Sequence, residues 1–239
     1  MSTSRLIDKT VLVVGASSGV GHATARALGG AGARVAVAAR RAAELERLAA
    51  ELPRGLAVPM DARDRRAVEA AVALVTEKLS APTIVVYATG LNLKARAIRD
   101  LTPADWSNML DANLSGAFHV TQAVLPALRA AADGLIIYIS STSAKRPDVS
   151  GVAYQAAKHG LVGLANGVME EERANGVRTS VIFPGLIDTR FLDFRPVQTP
   201  PDVVARALHA EDVAAACLFV AELPARVHVP QLVMYPSQP

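Results

Sequence analysis

Tyr154 and Lys158 stand four residues apart in the run Tyr154-Gln155-Ala156-Ala157-Lys158. On a helix this spacing puts both side chains on one face, one turn from each other. A free phenol has a pKa of about 10 and is a poor proton donor or acceptor at neutral pH. A fixed ammonium beside it favours the phenolate and brings that pKa toward the working range. The pair is therefore expected to act as an acid/base device in which Lys158 lowers the Tyr154 pKa. A second chemical feature lies near the start of the chain. Gly15-Ala16-Ser17-Ser18-Gly19-Val20-Gly21 joins an apolar run, Val11 to Val14, to a helical stretch. Glycines at such a junction let the chain turn tightly and let backbone N–H groups approach a pyrophosphate at the helix N-terminus.

A third signal follows the second apolar run, at Ala38-Ala39-Arg40-Arg41. About 20 residues past a glycine loop, proteins that bind NAD place an acid on the adenosine ribose. Here position 39 is alanine and two arginines follow. An acid repels a ribose 2′-phosphate, whereas a guanidinium binds it, so NADP(H) is expected in preference to NAD(H). Asp61, at the end of the third apolar run, either accepts a hydrogen bond from the adenine amino group or caps the helix that follows.

The elements that must position these residues alternate along the chain. Short β-branched runs are expected as strands at Val11–Val14, Arg34–Ala38, Leu56–Met60, Thr83–Ala88, Leu135–Ile139, Val177–Phe183 and His228–Met234. Helical periods fall between them at Gly21–Gly30, Arg41–Leu52, Asp64–Leu79, Pro103–Ala131, Gly151–Asn175 and Glu211–Glu222, with Thr102 as an N-cap. Apolar strands separated by helices imply a parallel sheet covered on both faces, joined by right-handed crossovers. The expected fold is α/β: a doubly wound, Rossmann-type sheet of seven parallel strands in the order 3-2-1-4-5-6-7, forming one domain over 1–239. The irregular stretch Arg190–Pro201 holds three prolines and two phenylalanines. It is either a substrate lid, within 189–210, or a variable surface loop.

Composition narrows the class. The chain has 239 residues, 51% hydrophobic and 4% aromatic, with a formal net charge of +3. Disorder is excluded by the apolar content, and scattered arginines with few stacking rings exclude a nucleic-acid surface. Cys217 is the only cysteine, so no intramolecular disulfide forms, which agrees with a reducing cytoplasm. No apolar stretch reaches the length of a membrane span, and Val11–Val14 is too short for a signal-peptide core. The five histidines show no metal-ligand spacing. Lys94, Arg96, Lys145 and Arg146, near the active end, either meet an anionic substrate or are exposed loop charges.

Taken together, the glycine spacing, the α/β alternation and Tyr154-x-x-x-Lys158 make the chain resemble the short-chain dehydrogenase/reductase family from about Lys9 to Met234. Asn113, in Asp111-Ala112-Asn113, falls at the family's catalytic asparagine. Ser141 precedes Tyr154 by 13 residues, the family's serine spacing. Pro184-Gly185-Leu186-Ile187-Asp188-Thr189 resembles the family's Pro-Gly turn beside the nicotinamide. There are departures: Val14 stands where a threonine is common, and Tyr87-Ala88-Thr89-Gly90 stands where Asn-Asn-Ala-Gly is usual. Ser18 occupies a position that is often basic in NADP-dependent members, which leaves the phosphate contact to Arg40, assisted by Ser17 or Arg41.

The resemblance implies hydride transfer between nicotinamide C4 and a carbonyl or carbinol carbon. Tyr154 would exchange the hydroxyl proton and Ser141 would fix the substrate oxygen. Lys158 would lower the Tyr154 pKa and hold the nicotinamide ribose, and Asn113 would hold a water that links Lys158 to solvent. The cofactor site it implies comprises Gly15, Ser17, Ser18, Gly19, Val20, Gly21, Arg40, Arg41, Asp61, Ala62, Ala88, Thr89, Gly90, Tyr154, Lys158, Pro184, Gly185, Ile187 and Thr189. The substrate would be a small 3-hydroxy or 3-oxo acid, an aldehyde or a ketone. A 3-oxoacyl carrier-protein reductase and a non-catalytic NADP-binding regulator are the alternatives. Alanine- and leucine-rich helix faces over 103–131 and 151–175 are expected to pair across two-fold axes, giving a homodimer or homotetramer.

Overall fold

Seven short runs of buried Val, Ile, Leu and Ala set the architecture. In the computed structural model, which describes residues 6–238, they form β1 (Thr10–Val14), β2 (Arg34–Ala39), β3 (Gly55–Pro59), β4 (Ile84–Tyr87), β5 (Gly134–Ile139), β6 (Val177–Pro184) and β7 (Gln231–Met234). The sheet order is β3-β2-β1-β4-β5-β6-β7, with every pairing parallel. The polar start of the chain, Met1–Arg5, lies outside the described residues.

Successive residues of each strand enter opposite cores, which is why the strands read as unbroken apolar runs. Leu12, Val14, Val85, Tyr87, Ile136 and Tyr138 face one layer, which is closed by α3 (Arg65–Lys78), α5 (Gly116–Ala131) and α6 (Val152–Glu172). Val11, Val13, Ile84, Val86, Leu135 and Ile137 face the other, closed by α1 (Gly19–Gly30), α2 (Ala42–Glu51) and α8 (Ala210–Glu222). The chain reverses its progress across the sheet between β1 and β4. Loops at the carboxyl ends of these strands diverge there and open a crevice. Among the described residues no helix is long and apolar enough to cross a membrane.

Beyond shifts of up to three residues at element ends, three features differ from or decide the sequence expectation. The helix expected over 103–131 is two: α4 (Pro103–Leu110) and α5, joined by a π turn at Asp111–Ser115. Thr102 caps α4 as expected, in a reciprocal box with Asp105. The interruption coincides with Asn113, whose side chain bonds outside the helix. The last strand begins at Gln231 rather than His228, because the His228 ring bonds the Thr179 carbonyl (2.6 Å) and Pro230 has no N–H to donate. The cap of α3 is Asp64, whose carboxylate accepts from the Arg66 and Ala67 N–H groups at 2.9 and 3.3 Å, so Asp61 does not have that role.

The irregular segment is an excursion pinned at both ends. Asp188 N–H donates to the Leu208 carbonyl (2.8 Å) and Leu208 N–H to the Leu186 carbonyl (2.9 Å). Between these ties the chain makes a 3-10 turn, Arg190–Phe194, and the single turn α7 (Pro201–Val204).

Candidate active site

The nucleotide end is built by glycine. Gly15 has φ +90°, and a Cβ there would fall 2.8 Å from the Ala88 carbonyl carbon and Thr89 nitrogen. Only glycine brings the end of β1 against the end of β4 in this way. A Cβ on Gly21 would fall 2.4 Å from the Gly15 oxygen, so α1 starts directly beneath the loop. Ser18 is the N-cap of α1, yet its side chain does not cap, and no acid occupies the first turn. The free N–H groups and positive end of α1 therefore face the crevice, a combination that fits a nucleotide pyrophosphate.

Arg41 is the guanidinium fastened to this loop. Its Nε and Nη2 donate to Ser17 Oγ at 3.2 and 2.9 Å, and Nη2 donates to Ser18 Oγ at 2.9 Å. Arg40 lines the same crevice without such a bond and draws the Asp61 carboxylate electrostatically. Asp61 is held well below the usual carboxylate range, first by hydrogen bonds from the Arg63 side chain, at 2.6 Å for the shortest, and then by the Arg63 N–H.

At the other end of the crevice, α6 presents Tyr154 and Lys158, 8% and 2% exposed. Lys158 Nζ donates to the carbonyls of Ile139 (3.0 Å) and Thr89 (3.5 Å) and lies 5.6 Å from the Tyr154 ring centroid. Burial pushes Lys158 down to about 8 and pushes the phenol up to about 12. The expected lowering of the Tyr154 pKa by Lys158 is thus corrected. The ammonium is spent on backbone carbonyls, and desolvation outweighs every charge acting on the phenol. The groups that favour the phenolate are the Ser141 hydroxyl, through a hydrogen bond, and the more distant Arg96.

Ser141 leaves the end of β5 and caps a short 3-10 turn, accepting from Ser143 N–H at 3.1 Å. Its hydroxyl continues through Ser143 Oγ (3.0 Å) to the Asp148 carboxylate (2.6 Å). Asn113 is fully buried. Its side chain accepts from Leu91 N–H (3.1 Å) and donates to the carbonyls of Leu91 (3.1 Å) and Met109 (2.9 Å). Its amide thus ties the loop after β4 to the π turn.

The pinned segment closes over the phenol. Phe191 packs on Tyr154 with centroids 5.8 Å apart, Phe194 packs on Phe191 at 6.0 Å, and a Cβ on Gly90 would meet Phe191 at 3.4 Å. One cleft of about 880 Å³ runs from Arg41 and Asp61 past Gly90 to Ser141, Tyr154, Lys158, Pro184, Gly185, Ile187 and Thr189.

The sequence profile of the short chain dehydrogenases matches residues 9–197. The chain belongs to this family. It is 32% identical over 237 residues to sulfoacetaldehyde reductase 2 of Chromohalobacter salexigens, covering 95% of this chain and 94% of that one. A metagenomic short-chain oxidoreductase solved in complex with NADP superposes with a TM-score of 0.84 at 28% identity, covering 98% of this chain and all of the other. An alcohol dehydrogenase of the archaeon Thermococcus sibiricus, complexed with 5-hydroxy-NADP, gives 0.87 at 27% identity, covering 96% and 97%.

In this short-chain dehydrogenase, the sequence-derived residues Ser17, Ser18, Gly19, Val20, Ala62, Ala88 and Thr89 also line the cleft. Asn113 stands behind Leu91 and does not line it; neither does Gly21, which lies beneath the loop. Ser143 and Asp148 escaped sequence reasoning. The signal was present as Ser141-Thr142-Ser143, where a short turn can bring alternate hydroxyls together, and Asp148 six residues before the tyrosine.

Proposed function

We propose that the protein is an NADP(H)-dependent oxidoreductase that interconverts a carbonyl and an alcohol on a small aldehyde, ketone or 3-oxo acid. The observation that carries this reading is the single cleft. It joins an uncapped helix N-terminus and the Arg41–Ser17–Ser18 cluster to a buried Tyr154 beside Ser141 and Lys158. Arg41, with Arg40, supplies positive charge where a ribose 2′-phosphate belongs, and Ala39 supplies no opposing acid. The NADP complex of the metagenomic relative supports the same preference.

When bound, the nicotinamide supplies or accepts the hydride. The Gly15–Gly21 loop and the first turn of α1 would hold the pyrophosphate, and Asp61 and Ala62 would border the adenine. Ala88, Thr89 and Gly90 would border the ribose, and Pro184, Gly185, Ile187 and Thr189 would border the nicotinamide. Ser141 holds the substrate oxygen beside Tyr154. In reduction Tyr154 Oη gives its proton to the carbonyl oxygen, and in oxidation it takes the proton from the alcohol. Lys158 keeps its ammonium at the Thr89 and Ile139 carbonyls, next to the ribose position. Asn113 keeps the loop after β4 in register with that site.

The exposed rings of Trp106 and Phe118, on α4 and α5, support assembly into a dimer or tetramer. So does the open space over Gly163 and Gly167 on α6. Sedimentation reads the assembly directly. The test of function is an NADPH-oxidation screen over aldehydes, ketones and 3-oxo acids, with Tyr154→Phe as control. Turnover that disappears in the variant supports the reading. Turnover on no carbonyl compound, or equal turnover in the variant, overturns it.

A further inference from the structure

Arg96 is a guanidinium near the phenol that forms no ion pair with a carboxylate among the described residues. It follows β4 by nine residues and is 9% exposed. Its Nε donates to the Leu93 carbonyl at 2.8 Å, and its Nη2 donates to the Phe194 carbonyl. Neither partner is charged, and Nη1 has no hydrogen-bond partner among the described residues. The next residue after Phe194 is Arg195, whose Nη1 donates to Thr199 Oγ1 at 3.1 Å. Among the described residues no carboxylate lies within 4.0 Å of either guanidinium, whereas eleven other pairs of charged side chains do close to that distance. Both side chains line the cleft that holds Tyr154, walled on the same side by Phe191 and Phe194.

Two like charges at one end of a cleft repel each other, and that repulsion adds to the burial that already penalises the Arg96 cation. The acid that acts on Arg96, Asp148, is itself occupied by Ser143 Oγ (2.6 Å) and Ser150 N–H (2.8 Å). A guanidinium with free donors presents a fork that matches an oxyanion. We infer that Arg96 and Arg195 bind the anionic end of the substrate, and that the enzyme acts on short aldehydes or ketones carrying a carboxylate or sulfonate at the end remote from the carbonyl. The inference rests on the carbonyl–alcohol reading of this same cleft and narrows it. The anion is a spectator: no bond to it forms or breaks, and Tyr154 hands its proton to the carbonyl oxygen as before. Phe191, packed on Tyr154, offers an apolar wall to the connecting methylenes.

The test compares 4-oxobutanoate and 2-oxoethanesulfonate with the neutral methyl ester of 4-oxobutanoate, in the wild-type protein and in Arg96→Gln and Arg195→Gln. The wild type is expected to prefer at least one anion over the ester by about tenfold or more in kcat/KM. Each variant should lose about tenfold or more on that anion and little on the ester. Calorimetric titration of succinate into the protein with NADP bound gives a readout independent of turnover, and its binding should be lost in Arg96→Gln. Arg195→Gln covers the case in which the loss of Arg96 unseats the Phe194 loop. Equal kcat/KM for acid and ester, or equal losses on both in Arg195→Gln, would overturn the anion site while leaving the carbonyl reduction standing. Succinate binding that depends on the arginines, without turnover of any carbonyl compound, would leave the anion site standing and remove the reaction.

Discussion

Arg41→Ala should separate the two nicotinamide cofactors. The Arg41 guanidinium sits on Ser17 and Ser18 Oγ at 2.9 Å from Nη2, and the side chain is 43% exposed. Glu44, at 3.8 Å, is beyond hydrogen-bond reach and competes weakly. A charge-assisted hydrogen bond contributes about 1.5–3 kcal/mol, and this exposure puts Arg41 in the lower part of that range, about 1.5–2 kcal/mol. The dissociation constant for NADPH should rise about 10- to 30-fold, whereas that for NADH, which has no 2′-phosphate, should hardly move. The backbone at Arg41 starts α2 without a side-chain cap, so alanine leaves the helix intact. Fluorescence titration with each cofactor at two salt concentrations measures both constants. The wild-type NADPH affinity should fall with salt more steeply than the variant's. Equal weakening for NADPH and NADH, or none for NADPH, would refute the assignment of Arg41 to the phosphate.

Tyr154→Phe should reduce kcat by about 10²- to 10⁴-fold with NADPH affinity unchanged by titration, and near wild-type turnover would contradict a proton role. Phe191→Ala should let water reach the phenol. Because burial is what pushes Tyr154 up to about 12, its pKa should fall toward about 10. Reduction needs the protonated phenol and should be lost at lower pH than in the wild type, and oxidation, which needs the phenolate, should begin at lower pH. Superimposable pH–rate profiles would show that Phe191 does not control the burial. Tyr87→Phe removes the donor to the Ala112 carbonyl (2.9 Å) in a fully buried site. It should destabilise the fold by about 1–2 kcal/mol, read as a lower urea midpoint, and an unchanged midpoint would show that water satisfies the carbonyl.

The sheet was legible because its strands are buried on both faces, so composition alone marks Val11–Val14 or Leu135–Ile139 without any long-range information. The order of the strands followed from the right-handed crossovers of a doubly wound sheet. The π turn was not legible. Its cause is the bonding of the Asn113 amide to Leu91, 22 residues away, and helical periodicity holds no trace of a tertiary hydrogen bond. Spacing singled out Tyr154, Lys158 and Ser141 as candidate proton-transfer side chains, but it carried nothing of their electrostatics. Spacing puts Lys158 beside Tyr154; it does not reveal that the Ile139 and Thr89 carbonyls claim the ammonium, or that Phe191 covers the phenol. Choosing between Arg40 and Arg41 likewise required knowing which side chain turns back toward Ser17.

Asn113 grips both the N–H and the carbonyl of Leu91, as a neighbouring strand would. Two residues on, the Leu93 carbonyl receives Arg96. A single side chain therefore stands at the root of the stretch that borders the ribose position at one end and presents Arg96 at the other. A lesion at Asn113 is therefore expected to disturb both ends of that stretch at once, so its phenotype would combine a cofactor-binding defect with a change at Arg96.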